Sequence, residues 1–96
     1  MVRYLSLISY TQQGMTHVKD SPSRAKEFNA SVEAAGGRVV SEYWCLGEFD
    51  GAVVFEAPDE QTASALLLKL AQVGNVRTRS TRVYDEQEFT AIVANA

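Results

Sequence analysis

Seven segments of strand or helix periodicity, set off by their own punctuation, constrain this chain more than any other feature. Val2 to Tyr10 is a run of aromatic and branched residues that ends at Thr11-Gln12-Gln13-Gly14, the pattern of a strand. After a loop to Asp20, Ser21 followed by Pro22 has the form of an N-cap with proline at the first helical position, where its missing N–H costs nothing. Ala25, Phe28, Val32 and Ala35 then recur at spacings of three and four, and Gly36-Gly37 stops the helix. Arg38 to Leu46 reads as a second strand, Gly47 to Gly51 as a tight link, and Ala52 to Ala57 as a third strand. Asp59 is placed to cap a helix whose inward residues are Ala63, Leu66, Leu67, Leu70 and Val73, with Gly74 closing it. Val76 to Tyr84 is the fourth strand. Asp85 with Glu88 three residues on predicts a capping box opening a terminal helix through Phe89, Ile92 and Val93.

The resulting order, βαββαβ with a helical tail, is that of an α+β ferredoxin-like plait: an antiparallel sheet of four strands with both crossover helices on one face. The other face then needs a cover. Val2, Tyr4, Ile8 and Tyr10 alternate with Leu5 and Leu7 in the first strand, and Val39, Tyr43 and Cys45 with Val40, Trp44 and Leu46 in the second. Both faces carry apolar side chains, so the expectation is a homodimer whose sheets face each other. At 96 residues, 46% apolar, the chain forms one domain over 1–96, and a core this small gains from self-association.

A net charge of −3 gives no clustered positive field, so no nucleic acid is expected. The most apolar run, Ala65 to Leu68, stops at Lys69, far short of the ~20 residues that span a bilayer, so no membrane partner is expected either. With one cysteine, Cys45, and no start like a signal peptide, the expected location is cytoplasmic.

Tyr43-Trp44-Cys45-Leu46-Gly47-Glu48-Phe49-Asp50-Gly51, Glu56-Ala57-Pro58-Asp59, Leu70 to Thr78 and the helix start Asp20 to Arg24 together resemble the GYD domain family, over about Tyr4 to Phe89. The resemblance implies a dimeric α/β barrel and carries no common activity with it. The namesake motif stands here as Gly47-Glu48-Phe49-Asp50, with phenylalanine where tyrosine is usual.

Candidate catalytic residues are His17, Asp50 and Tyr43. His17 is the only histidine, the one side chain whose ordinary pKa suits proton transfer near neutrality, and it sits in a loop. Asp50 stands at a strand end where a base would face a cavity, and it equally suits a turn, accepting from backbone N–H groups. Tyr43 and Trp44 are adjacent on one strand and point to opposite faces, so only one of them can line a barrel. Candidate ligand-binding residues are Tyr4, Trp44 and Phe55 as an aromatic wall and Arg77 as a carboxylate or phosphate grip. Packing accounts for the first three as well, and ion pairs of Arg77, Arg79 and Arg82 with Glu86 and Glu88 account for the basic fourth strand.

No cofactor is expected. HxxE, HxH and CxxC patterns are absent, His17 has no second metal ligand near it, and no P-loop or dinucleotide fingerprint occurs. The first expected function is a homo-oligomer binding a small apolar or aromatic molecule in a β-barrel cavity. The alternatives are a cofactor-independent monooxygenase or isomerase acting on an aromatic or polyketide-like substrate, and a structural or regulatory oligomer with a filled barrel.

Overall fold

The computed structural model describes residues 1–96. Its elements are β1 (Val2–Tyr10), α1 (Gln12–Thr16), a 3₁₀ turn (Val18–Asp20), α2 (Ser21–Ala34), β2 (Arg38–Trp44), β3 (Gly51–Ala57), α3 (Glu60–Val73), β4 (Val76–Arg82) and α4 (Glu86–Ala94). The four strands form one antiparallel sheet in the order β2-β3-β1-β4, the expected plait, with β2 and β4 at the edges. No helix is long and apolar enough to cross a membrane.

The punctuation works largely as its chemistry dictates. Asp59 accepts from the Thr62 N–H at 2.8 Å, Gly74 closes α3 in the left-handed conformation at φ 88°, and Asp85 with Glu88 completes a reciprocal capping box. Two segments differ. The expected loop after β1 contains α1, started by the Thr11 side chain accepting from the Gly14 N–H. The 3₁₀ turn then feeds straight into α2, so Asp20 takes the N-cap position without a side-chain bond and Ser21 becomes the first helical residue. Ser21 is thereby released from capping, and its hydroxyl is free to bond elsewhere. β2 stops at Trp44 and β4 at Arg82, each two residues short of expectation.

One face of the sheet meets α2 and α3. Phe28 and Val32 of α2, Ala63 and Leu66 of α3, and Val53, Phe55 and Ala57 of β3 form the buried core, with Val2, Tyr4, Ile8 and Val39 packed against it. Phe55 is fully buried, its ring 5.6 Å edge-on from Phe28 and stacked on Tyr4 at 6.1 Å. Strand parity follows the sequence in β1 and breaks in β2. A bulge lies between Val39 and Ser41, so Val39 pairs with Phe55, Glu42 with Val53 and Trp44 with Gly51, all on the helix side. Tyr43 pairs with Ala52 on the open face. Simple alternation had grouped Val39 with Tyr43; the extra residue at Val40 separates them.

The open face carries Leu5, Leu7, Val54 and Tyr43 together with an ion-pair network. Glu56, only 7% exposed, accepts from Arg3 Nε and Nη2 at 3.1 and 2.8 Å and from Arg38 Nε at 2.7 Å. Arg3 also reaches Glu88 at 2.7 Å, which ties the first turn of α4 to β1. The acidic tail therefore pairs with Arg3, in place of the β4 arginines expected from the sequence. Arg82 instead lies over the Tyr84 ring at 4.4 Å and donates to the Val83 carbonyl.

Candidate functional site

Antiparallel pairing brings the end of β1 beside the start of β3 and of β4, and at this end of the sheet residues of α2 and α3 border a gap over the strands. The gap is a cleft of about 170 Å³. Its apolar wall is Ile8 of β1, Phe28 of α2, Val53 of β3 and Leu66 and Leu70 of α3. A cavity of roughly 150 Å³ lined by aliphatic and aromatic side chains accommodates a benzene-sized molecule.

Its polar rim centres on Ser21. The Trp44 indole N–H donates to Ser21 Oγ at 3.0 Å, and Ser21 Oγ lies 2.7 Å from the Tyr10 hydroxyl. Two hydroxyls that share one contact place one proton between them, leaving the other O–H available to an acceptor in the cleft. Asp50 accepts from the Tyr10 backbone N–H at 2.8 Å through Oδ2, and its own N–H donates to the Ile8 carbonyl. That pair of bonds fixes the β2–β3 link against the end of β1. Glu42 accepts from Asn29 Nδ2 at 2.9 Å, and Asn29 Oδ1 is buried without a partner. The rim thus offers one hydroxyl donor and two carboxylates around an aromatic edge.

The structure divides the residues singled out in the sequence. Trp44 and Asp50 border the cleft, as does Tyr43, a residue 68% exposed whose strand position is on the open face. His17 stands apart, its Nδ1 3.0 Å from the Gln13 carbonyl in an exposed setting. The three candidate acid–base groups do not converge on one point. Tyr4 and Phe55, expected in a barrel wall, are packed in the helix-side core, because their strand positions face α2 and α3. Arg77 pairs with Ser9 on the open face, remote from Trp44. The cavity this chain forms by itself lies between helices and sheet, whereas the sequence pointed to one between facing sheets. Leu66 and Leu70 escaped the sequence reading as site residues, since a core stripe described them fully, and Ser21 entered it only as a helix cap and as an aid to an anion grip.

A protein of Thermus thermophilus named glutamine synthetase and cystathionine beta-lyase binding protein is 37% identical over 79 residues, 81% of this chain and 83% of that protein. Among solved structures, a feast or famine regulatory protein from M. tuberculosis complexed with L-methionine superposes with a TM-score of 0.67 at 21% identity. The superposition covers 88% of this chain and 51% of that one, so this chain spans about half the regulator's length. A Thermus thermophilus structure matches over 88% of this chain and 95% of its own, with a TM-score of 0.56 and 14% identity. At these identities the two structural matches establish the ferredoxin-like fold. The GYD domain model matches residues 4–93, nearly the whole chain, and the protein belongs to the GYD domain family.

Proposed function

We propose that this protein is a self-associating binding protein that holds a small, largely apolar molecule of single-ring size in the cleft between α2 and α3. The observation that carries the reading is the cleft itself, an apolar pocket with a few convergent polar groups on its rim. Trp44 supplies an aromatic edge, and the Ser21–Tyr10 pair supplies one hydroxyl donor to orient a ligand. The separation of His17 from Asp50 and Tyr43 favours binding over acid–base catalysis. The relative named for binding two enzymes supports a regulatory role, in which an occupied or empty cleft alters how a partner enzyme is engaged.

Self-association is supported by exposed area. The chain presents 6411 Å² to solvent, against about 5,400 Å² for a folded monomer of its mass. The excess, on the order of 1,000 Å², is close to the ~800 Å² that one partner contributes to a standard interface. Leu5, Leu7, Val54 and Tyr43 on the open face are the apolar surface available for it.

Calorimetric titration of the full chain with a panel of single-ring aromatic compounds tests the binding claim. Saturable binding is expected for at least one of them, weakened about tenfold by Trp44→Ala, since loss of an aromatic contact to the ligand is worth up to ~1.5 kcal/mol. Trp44 is half-exposed, so the variant should keep its melting temperature within a few degrees. If no compound binds and native mass spectrometry of protein taken gently from cells shows no retained small molecule, the cleft is a packing gap and the proposal fails.

A further inference from the structure

On the opposite side of the sheet from the cleft, β4 places Arg77 and Arg79 on the open face, across from Ser9 and Leu7 of β1. Side chains two residues apart on one strand face lie roughly 6.6–7 Å apart at their Cβ atoms, so the two guanidiniums are neighbours with like charge. The chain's carboxylates do not neutralise them. The ion pairs within 4.0 Å belong to Arg3 and Arg38, and no side-chain hydrogen bond leaves Arg77 or Arg79. Both are exposed on an edge strand.

They are also enclosed on one side. The link between β2 and β3 folds over the end of β1, held there by Asp50, and brings Phe49 and Glu48 to border a groove of about 440 Å³ that Arg77, Arg79 and Ser9 complete. The groove therefore has two fork-shaped cations, one aromatic side chain, one acid and the hydroxyl residue Ser9, with Thr78 completing its lining from a strand position that faces the helix side. Glu48 leaves a surplus of one positive charge and forms an ion pair with neither arginine.

We propose that this groove is a binding site for a small molecule carrying a carboxylate or phosphate group, gripped by Arg77 and Arg79, with its apolar body against Phe49. Guanidinium groups match the geometry of both oxyanions bidentately, and an anion between two adjacent cations relieves their mutual repulsion. Ser9 adds a hydroxyl donor at the inner end. The site is separate from the cleft, so it does not depend on the ligand reading; it borders the open face offered for self-association, where Arg79 lies across from Leu7.

The test is a titration of the full chain, followed by NMR of the arginine Nε–H resonances, with inorganic phosphate, phenyl phosphate and benzoate. Saturable shifts of Arg77 and Arg79 are expected, while the Trp44 indole resonance stays in place. Phenyl phosphate should bind several-fold tighter than inorganic phosphate, and Phe49→Ala should abolish that advantage. Arg77→Gln and Arg79→Gln should each weaken binding about tenfold or more, and the lysine variants less, because the charge remains while the fork is lost. Phenyl phosphate against benzoate tells a phosphate site from a carboxylate site. Absence of saturable shifts with all three probes overturns the proposal. So does the finding that Arg77→Gln and Arg79→Gln leave binding unchanged, or that they lower self-association instead, which would assign these arginines to acids of a second copy.

Discussion

Glu56 holds the most heavily compensated charge of the sheet. It is nearly buried, lies across from Arg3 on β1 and Arg38 on β2, and bonds to both. The hydrogen bond from Arg38, followed by that from Arg3, holds its carboxyl below the usual range against the opposing effect of burial. A carboxyl that binds its proton less tightly folded than unfolded stabilises the fold when ionised. That contribution is complete above the ordinary carboxyl range and is lost as pH falls through the lowered folded value. Glu88, held down by the Asp85 N–H and then by Arg3, titrates in the same direction. Glu56→Gln should cost about 2 kcal/mol near neutrality, since it weakens charge-assisted bonds to two arginines. The variant should also lose less stability than the parent between neutrality and pH 3. Thermal melts across that range check both statements, and an unchanged acid slope would place the acid sensitivity in other carboxyls.

Among the elements, β2 is where local pattern and structure part company. Caps are short-range chemistry, so Asp59, Gly74 and the Asp85–Glu88 box were readable from neighbouring residues alone, and so was the order of strands and helices. The face a strand presents is set by pairing. Both alternations of β2 are apolar, and one unpaired residue at Val40 is invisible in such a pattern. The same blindness moved Trp44 between faces and hid the cleft. Ser21 was hidden differently: its residue type fits a cap, and only the 3₁₀ turn ahead of it shows that the hydroxyl belongs to Tyr10 and Trp44. Deleting Val40 tests the bulge directly. With regular alternation β2 must turn either Val39 or the Glu42–Trp44 pair away from the helix side, so a loss of several kcal/mol is expected, on the order of a large core truncation. Urea denaturation measures it; a deletion costing under about 0.5 kcal/mol, the range of neutral surface changes, would show the bulge to be incidental.

The molecule as a whole is long and thin for its mass. Its extents are 48 × 30 × 18 Å and its radius of gyration is 14.2 Å, against about 12.5 Å for a folded domain of this length. Part of the difference is α4, attached through Arg3 and Glu88 while Phe89, Ile92 and Val93 remain exposed. Only 11 of 96 residues are buried, a small core for a chain that must hold four strands together. Pairing of open faces would supply the missing burial. Leu7→Glu places a charge in the middle of that face and should shift sedimentation equilibrium toward the monomer by tenfold or more in the association constant. A parent that sediments as a monomer at all concentrations would remove the basis for this picture.

Trp44 is the chain's single tryptophan, and it sits on the lip of the cleft with its indole nitrogen bonded to Ser21. The emission of the unlabelled protein is therefore a gauge of that one place. An occupant that displaces water from the ring or breaks the Ser21 bond changes the colour or yield of the fluorescence, while the arginine groove on the far side stays optically silent. The sequence has built a reporter into the site whose ligand is sought, and a plate reader with a library of metabolites is enough to consult it.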